Sequence, residues 1–234
     1  MKKSQLITLA TIFLVVVVFY FLWPYAFTVV PIKQVEEQKL SEAFNPVSYV
    51  DSIWQSKVIP TIMEKAIDLS TVLKAIPINA KGMISKSDLT QTTKPYALST
   101  VGEALVFKVK AKGKIEEVDT SSSLGNMTIK VDGYDGPIKV NVFIGPRIPS
   151  DETSLRDGVG FISFGDFKEQ TEYGKAAREL NNRVTGQVLE PLDKTKLKGK
   201  IVIIYGTFTL RTFNLTEIDM NKITIVPVKI DLSE

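Results

Sequence analysis

Hydrophobic and polar positions divide this chain into a leader with a single texture and a body with two. Between Lys3 and Lys33 there is no Asp, Glu, Lys or Arg. The apolar heart of that stretch, Leu6 to Trp23, would be about 27 Å long as a helix at ~1.5 Å per residue, and Phe27 to Ile32 can extend it toward the ~30 Å thickness of a bilayer core. Lys2 and Lys3 precede it and Tyr20, Trp23 and Tyr25 gather at its end. The positive-inside rule and the aromatic belt then predict a single-pass anchor, N-terminus in the cytoplasm and C-terminal domain periplasmic or extracellular. Ala26 with Pro24 is a poor peptidase site, so the leader is expected to stay attached.

After the polar stretch Lys33 to Glu42, Asn45 followed by Pro46 reads as a helix cap with proline at the first helical position. Val47, Val50, Ile53, Trp54 and Val58 recur at helical spacing, and Pro60 should kink or end this segment at Ile59. A second helix is predicted from Pro60 through Ala75, and Asn79 to Pro95 reads as a loop or weakly helical connection. From Ala104 the period becomes two. Leu105, Phe107, Val109 and Ala111 alternate with Lys108, Lys110 and Lys112, and Gly113 suggests a bulge that bends a long first strand. Met127 to Asp132 and Ile138 to Ile144 are the next strands, joined through Asp132-Gly-Tyr-Asp-Gly136. Tyr173, Ala177, Leu180, Val184 and Val188 then form a helical stripe behind a capping pair at Asp166 and Glu169, and Pro191 stops it. Lys200 to Leu210 and Ile223 to Leu232 complete five strands, Pro227 implying an edge or a bulge.

Three strands, a helix and two strands make an OB-like order. The predicted class is α+β: an N-terminal membrane helix, a short helical region, then a five-stranded OB-like β-barrel with a helix between strands 3 and 4. The expected divisions are 1–33, 34–103 and 104–234.

Charge and composition narrow the function. All 26 acidic residues lie after Lys33, and Lys2, Lys3 and Lys33 account for three of the 29 basic ones, so the body is neutral. A nucleic-acid surface needs a net basic stripe, and none is expected. The chain has no His and no Cys. Ser-His-Asp triads, His- or thiolate-ligated metals and disulfides are thereby excluded from this chain's own residues. No catalytic residue, metal ligand or cofactor is assigned.

Four blocks carry a resemblance: FNPVSYVDSIWQSKVIPTI from Phe44, LRDGVGFISFGDFKEQTEYGKAARELNNRV from Leu155, LKGKIVIIYGTF from Leu197 and ITIVPVKIDL from Ile223. Together they resemble a bacterial family of predicted periplasmic lipoproteins of unknown function. The resemblance implies an extracytoplasmic location and an association with ABC-type sugar import, and implies no established activity. Relatives of that kind carry a lipid-modified cysteine just before a segment like Val29 to Ile32; this chain has none, so its contact with membrane lipid is expected through Leu6 to Trp23.

The densest candidate region is Leu155 to Asp166, where Arg156, Asp157 and Asp166 alternate with three glycines, Phe161 and Phe164. A guanidinium and a carboxylate beside aromatic faces can hydrogen-bond and stack a sugar. The same residues can equally be an internal ion pair, a helix cap and core. Asn181, Asn182 and Arg183 sit mid-helix, where two consecutive asparagines are unfavourable and imply a polar contact, with a ligand or with a neighbouring loop. The candidate ligand-binding set is therefore Arg156, Asp157, Phe161, Phe164, Asn182 and Arg183. Gly158-Val-Gly-Phe-Ile-Ser163 lacks the third glycine of a dinucleotide fingerprint. Asp132 and Asp135 lack the oxygen-ligand series of a calcium loop. The expected role is a non-enzymatic accessory or ligand-binding protein, with transporter components or a small sugar as partners. The alternative is a carboxylate-dependent hydrolase of envelope or imported glycans, using Asp157 and Asp166.

Overall fold

The computed structural model describes residues 3–26, 44–100 and 102–233. The extension at Phe27 to Ile32 and the polar stretch Lys33 to Glu42 lie outside them. The chain divides into two compact units, Met1–Phe44 and Asn45–Glu234.

The first unit contains helix α1 (Lys3–Ala26), in which Ile7, Phe13, Phe19 and Tyr20 are exposed. The single-pass reading is overturned here: no helix among the described residues is long and apolar enough to cross a membrane.

The second unit opens with α2 (Pro46–Ile53), whose first turn is closed by Asn45 accepting from the Ser48 amide at 3.1 Å. A π turn (Trp54–Val58) and α3 (Ile59–Glu64) continue the rod, so the helix does not end at Ile59. The reason is a register slip. Ile59 N–H reaches back to Trp54 O, and Pro60 then sits in the first turn of α3, where no N–H is required. The predicted helix from Pro60 to Ala75 is interrupted at Lys65 by β1 (Ile67–Asp68), and Asp68 caps a new helix, α4 (Leu69–Lys74). The connection read as a loop holds β2 (Met83–Ser85), α5 (Lys86–Thr93) and β3 (Ala97–Ser99). Ser85 and Asp88 bond each other's side chains at the start of α5.

The main sheet has seven strands, not five: β4 (Ala104–Asp119), β5 (Asn126–Val131), β6 (Lys139–Phe143), β7 (Ile201–Arg211) and β9 (Lys222–Ser233), with β1 parallel and β3 antiparallel to β4; β8 (Glu217–Asp219) pairs with β2 in a separate sheet. β4, β5 and β6 meander antiparallel, β6 runs parallel to β9, β9 antiparallel to β7, and β7 antiparallel to β4. The long strand serves both ends of this order, giving residues 113–119 to β5 and 104–114 to β7. That is an OB-like sheet, but it is not closed along its full length: β6 and β9 pair only from Lys139 to Val142. The bulge in β4 lies between Ile115 and Glu117 instead of at Gly113. Gly113 has another task, since a Cβ there would sit 2.1 Å from the Lys130 carbonyl oxygen of β5. Pro227 coincides with a register shift opposite Gly206, the bulge its missing amide requires.

The inner face of the sheet forms one core around Phe107 and Phe208, cross-strand partners with stacked rings 4.6 Å apart. The helices build a second core. In it Trp54 and Ile62 meet Leu155 of α6 (Ser154–Val159), Leu180 of α7 (Gln170–Arg183), and Val226 and Val228 of β9. The stripe Ala177, Leu180, Val184 is buried as its spacing predicts, and α7 lies between β6 and β7 in the chain.

Candidate functional site

Helix α6 sets the first candidate. Its Leu155 and Val159 are buried, and Gly158 lets it lie against β7, where a Cβ would come within 2.8 Å of Thr207 Cγ2. Gly160, at φ +74°, ends it in the left-handed conformation that glycine adopts without strain. Lys108 Nζ donates to Gly158 O at 3.0 Å, placing a cation at the helix C-terminus; burial, then Lys65, pulls its pKa below the ordinary lysine value.

This placement presses Arg156 onto Tyr173 of α7, the guanidinium 3.5 Å from the ring centre. Arg156 also donates through Nε and Nη2 to Asp157 Oδ1, at 2.8 and 2.7 Å. Asp157 Oδ1 accepts the Tyr173 hydroxyl at 3.3 Å and Oδ2 the Thr153 hydroxyl at 2.7 Å. Desolvation is the main cause that raises the Tyr173 pKa. Beside this network opens a hollow of about 750 Å³, walled by Ser99 at the end of β3 and Thr100 after it, by Phe164, Gln170 and Tyr173, and by Arg156. Phe164 meets Tyr173 edge-on at 5.7 Å and is more than half exposed.

The six candidate residues do not form one site. Arg156, Asp157 and Phe164 border this hollow; Phe161 is exposed outside its lining. Asn182 lines a different groove farther along α7, and Arg183 is held by Asp51 at 2.5 Å and Glu179 at 3.5 Å. The capping pair is also reassigned. Asp166 closes a 3-10 turn (Phe164–Asp166) with Ser163, whose amide donates to Asp166 Oδ2 at 2.8 Å, while α7 starts at Gln170 behind Glu169.

The groove along α7 has about 550 Å³ and is lined by Lys175, Arg178, Asn182 and Thr185, by Arg147, and by Pro146 and Pro149 after β6. Asn181 forms part of its lining, donating through Nδ2 to Glu152 O at 2.8 Å, its Oδ1 buried and without a partner. In the sequence Tyr173 stood out only as part of the apolar stripe, and Lys175 and Arg178 were given no role. Their signal was the polar spacing 175, 178, 182, 185 opposite the apolar stripe. Among the described residues no group of three or more acidic side chains could hold a metal.

No curated protein matches the chain. A crystal structure of an OB-fold protein from Thermotoga maritima is similar to it with a TM-score of 0.59 and 17% identity, covering 82% of this chain and 100% of the other. At that identity the likeness shows the fold alone. The profile of the predicted periplasmic lipoproteins (DUF2291) matches residues 14–231, most of the leader and nearly all of the body, and the chain belongs to that family.

Proposed function

We propose that this protein is a non-enzymatic accessory that binds a small sugar in the periplasm, in contact with membrane lipid through Leu6 to Trp23 and working beside an ABC-type sugar importer. The observation that carries the binding role is the hollow beside Arg156 and Tyr173. Its volume suits a small ligand, the exposed Phe164 ring supplies aromatic surface for a sugar ring, and Ser99, Thr100 and Gln170 supply hydroxyl and amide partners. The lipid contact is supported by the exposed apolar side chains of α1 and by the family's description as lipoproteins. The importer rests on the resemblance in sequence.

The hydrolase alternative finds less support. Asp157 is held by its neighbours, with Oδ1 accepting from Arg156 and Tyr173 and Oδ2 from Thr153, and Asp166 accepts from the Ser163 amide and is absent from the hollow's lining. Calorimetry on the full chain, kept in a sugar-free nonionic detergent, tests the binding role against a panel of neutral mono- and disaccharides. Saturable heat that falls about tenfold in affinity on Phe164→Ala, the loss of one stacking face, is expected. Absence of binding across the panel, together with no importer subunit co-purifying from the native membrane, rejects the reading.

A further inference from the structure

The groove along α7 has its own chemistry, and the distribution of arginine defines it. The chain contains five arginines. Arg156 is paired with Asp157, Arg183 with Asp51 and Glu179, and Arg211 with Asp151. Arg147 and Arg178 have no carboxylate partner among the described residues, and both line this one groove. Lys175 joins them, one helical turn before Arg178 on the same face of α7, and is likewise unpaired. The only carboxylate in the lining, Glu179, is engaged by Arg183 and by the Asn182 amide at 3.0 Å.

Three cations converging without counter-charges repel one another, and a protein of neutral body has enough carboxylates to pair them elsewhere. The groove is also shaped in advance. Pro146 and Pro149 fix the backbone on either side of Arg147, whose amide donates to Ser123 O at 3.1 Å. On the other wall α7 passes into a π turn (Val184–Leu189), bringing Thr185 and the side-chain-free Gly186 to the rim. Single π turns within helices occur frequently at functional sites. Asn181 Oδ1, buried and without a partner among the described residues, is an acceptor for a ligand hydroxyl and not for phosphate oxygens.

We infer that this groove binds a phosphate group, carried by a small phosphorylated organic molecule or by a phospholipid headgroup. Two guanidinium forks match the oxygens of a phosphate, and the ammonium of Lys175 adds a point charge. The volume exceeds that of a bare phosphate and leaves room for the body of the ligand against Ile148 and the two prolines. Asn182 and Thr185 are placed to meet its hydroxyls. This inference does not depend on the sugar hollow.

Full-length protein in the same sugar-free nonionic detergent is titrated with glucose 6-phosphate, glucose and inorganic phosphate. Glucose 6-phosphate should bind tighter than glucose, weaken as salt is raised, and lose about tenfold in affinity with Arg178→Gln or Arg147→Gln separately. Both positions are exposed, and an unchanged melting curve confirms folding; Lys175→Gln supplies a third variant. Phosphatidylglycerol added to the micelles distinguishes the sources: competition with glucose 6-phosphate assigns a lipid headgroup, and no competition assigns a free small molecule. The inference is overturned if glucose 6-phosphate binds no better than glucose, or if the Arg147→Gln/Arg178→Gln double variant keeps wild-type affinity. A loss caused instead by Phe164→Ala would place the ligand in the hollow and also overturn it.

Discussion

Removing Asp157 tests the physical heart of the region around α6. Its side chain and that of Arg156 are 11% and 10% exposed, so the pair is almost wholly withdrawn from water. In Asp157→Ala the guanidinium keeps its place above Tyr173 but loses its counter-charge, and the hydroxyls of Thr153 and Tyr173 lose their acceptor. Breaking a buried pair from one side costs about 3–5 kcal/mol. The lower end applies here, because the hollow lets water approach the freed charge, giving about 3 kcal/mol. For a unit of this size each kcal/mol lowers the melting temperature by about 2–4 °C, so about 6–12 °C is expected. Removing both charges in Arg156→Met/Asp157→Leu leaves no stranded ion and should recover at least half of that loss. Thermal melts of the full chain by far-ultraviolet circular dichroism measure both. A single variant within about 0.5 kcal/mol of wild type, or a double variant as unstable as the summed singles, would refute the account.

Three further outcomes follow from particular contacts. Gly113→Ala drives a Cβ into the Lys130 carbonyl of the neighbouring strand and should cost about 3 kcal/mol in urea denaturation; a loss under 1 kcal/mol would mean the strands part more easily than their pairing indicates. Asn45→Ala removes the acceptor for the Ser48 amide and should cost about 1 kcal/mol by the same measurement. The hydrogen bond from Arg211 holds the Asp151 carboxyl below its usual pKa of 3.8, so it contributes stability above that value and loses it as the pH falls through the lowered folded value. Both partners are mostly exposed, so Asp151→Asn should cost under about 1 kcal/mol at pH 7, and the gap should close in acid; a gap that widens toward pH 2 would contradict the sign.

The strands of the body were legible because a sheet with one face on a core imposes a period of two. Leu105, Phe107, Val109 and Ala111 turn inward and Lys110 and Lys112 do not, as their alternation states. The α7 stripe was legible for the corresponding reason at the helical period, and the Asn45–Pro46 start because a cap is a local bond between neighbours. Family membership was carried by continuous blocks of residues. The short elements β2, α5 and β8 were not legible. They are held by pairing across more than 130 residues, Met83 to Asp219, and few apolar residues mark them. Nor were the π turns, whose extra residue leaves no signature in spacing.

Neither candidate site could be assembled along the chain. The hollow needs Thr100, Arg156 and Tyr173 to meet, and the groove needs Arg147 from a loop beside Arg178 on a helix. Sequence alone determined which residues are apolar, in which period, and that no histidine or cysteine is available for chemistry. Only the tertiary structure decided that Asp157 is spent on Arg156 while Arg147 and Arg178 remain unspent. Ion pairing depends on side chains brought within 4 Å by packing, and no interval of sequence encodes that distance.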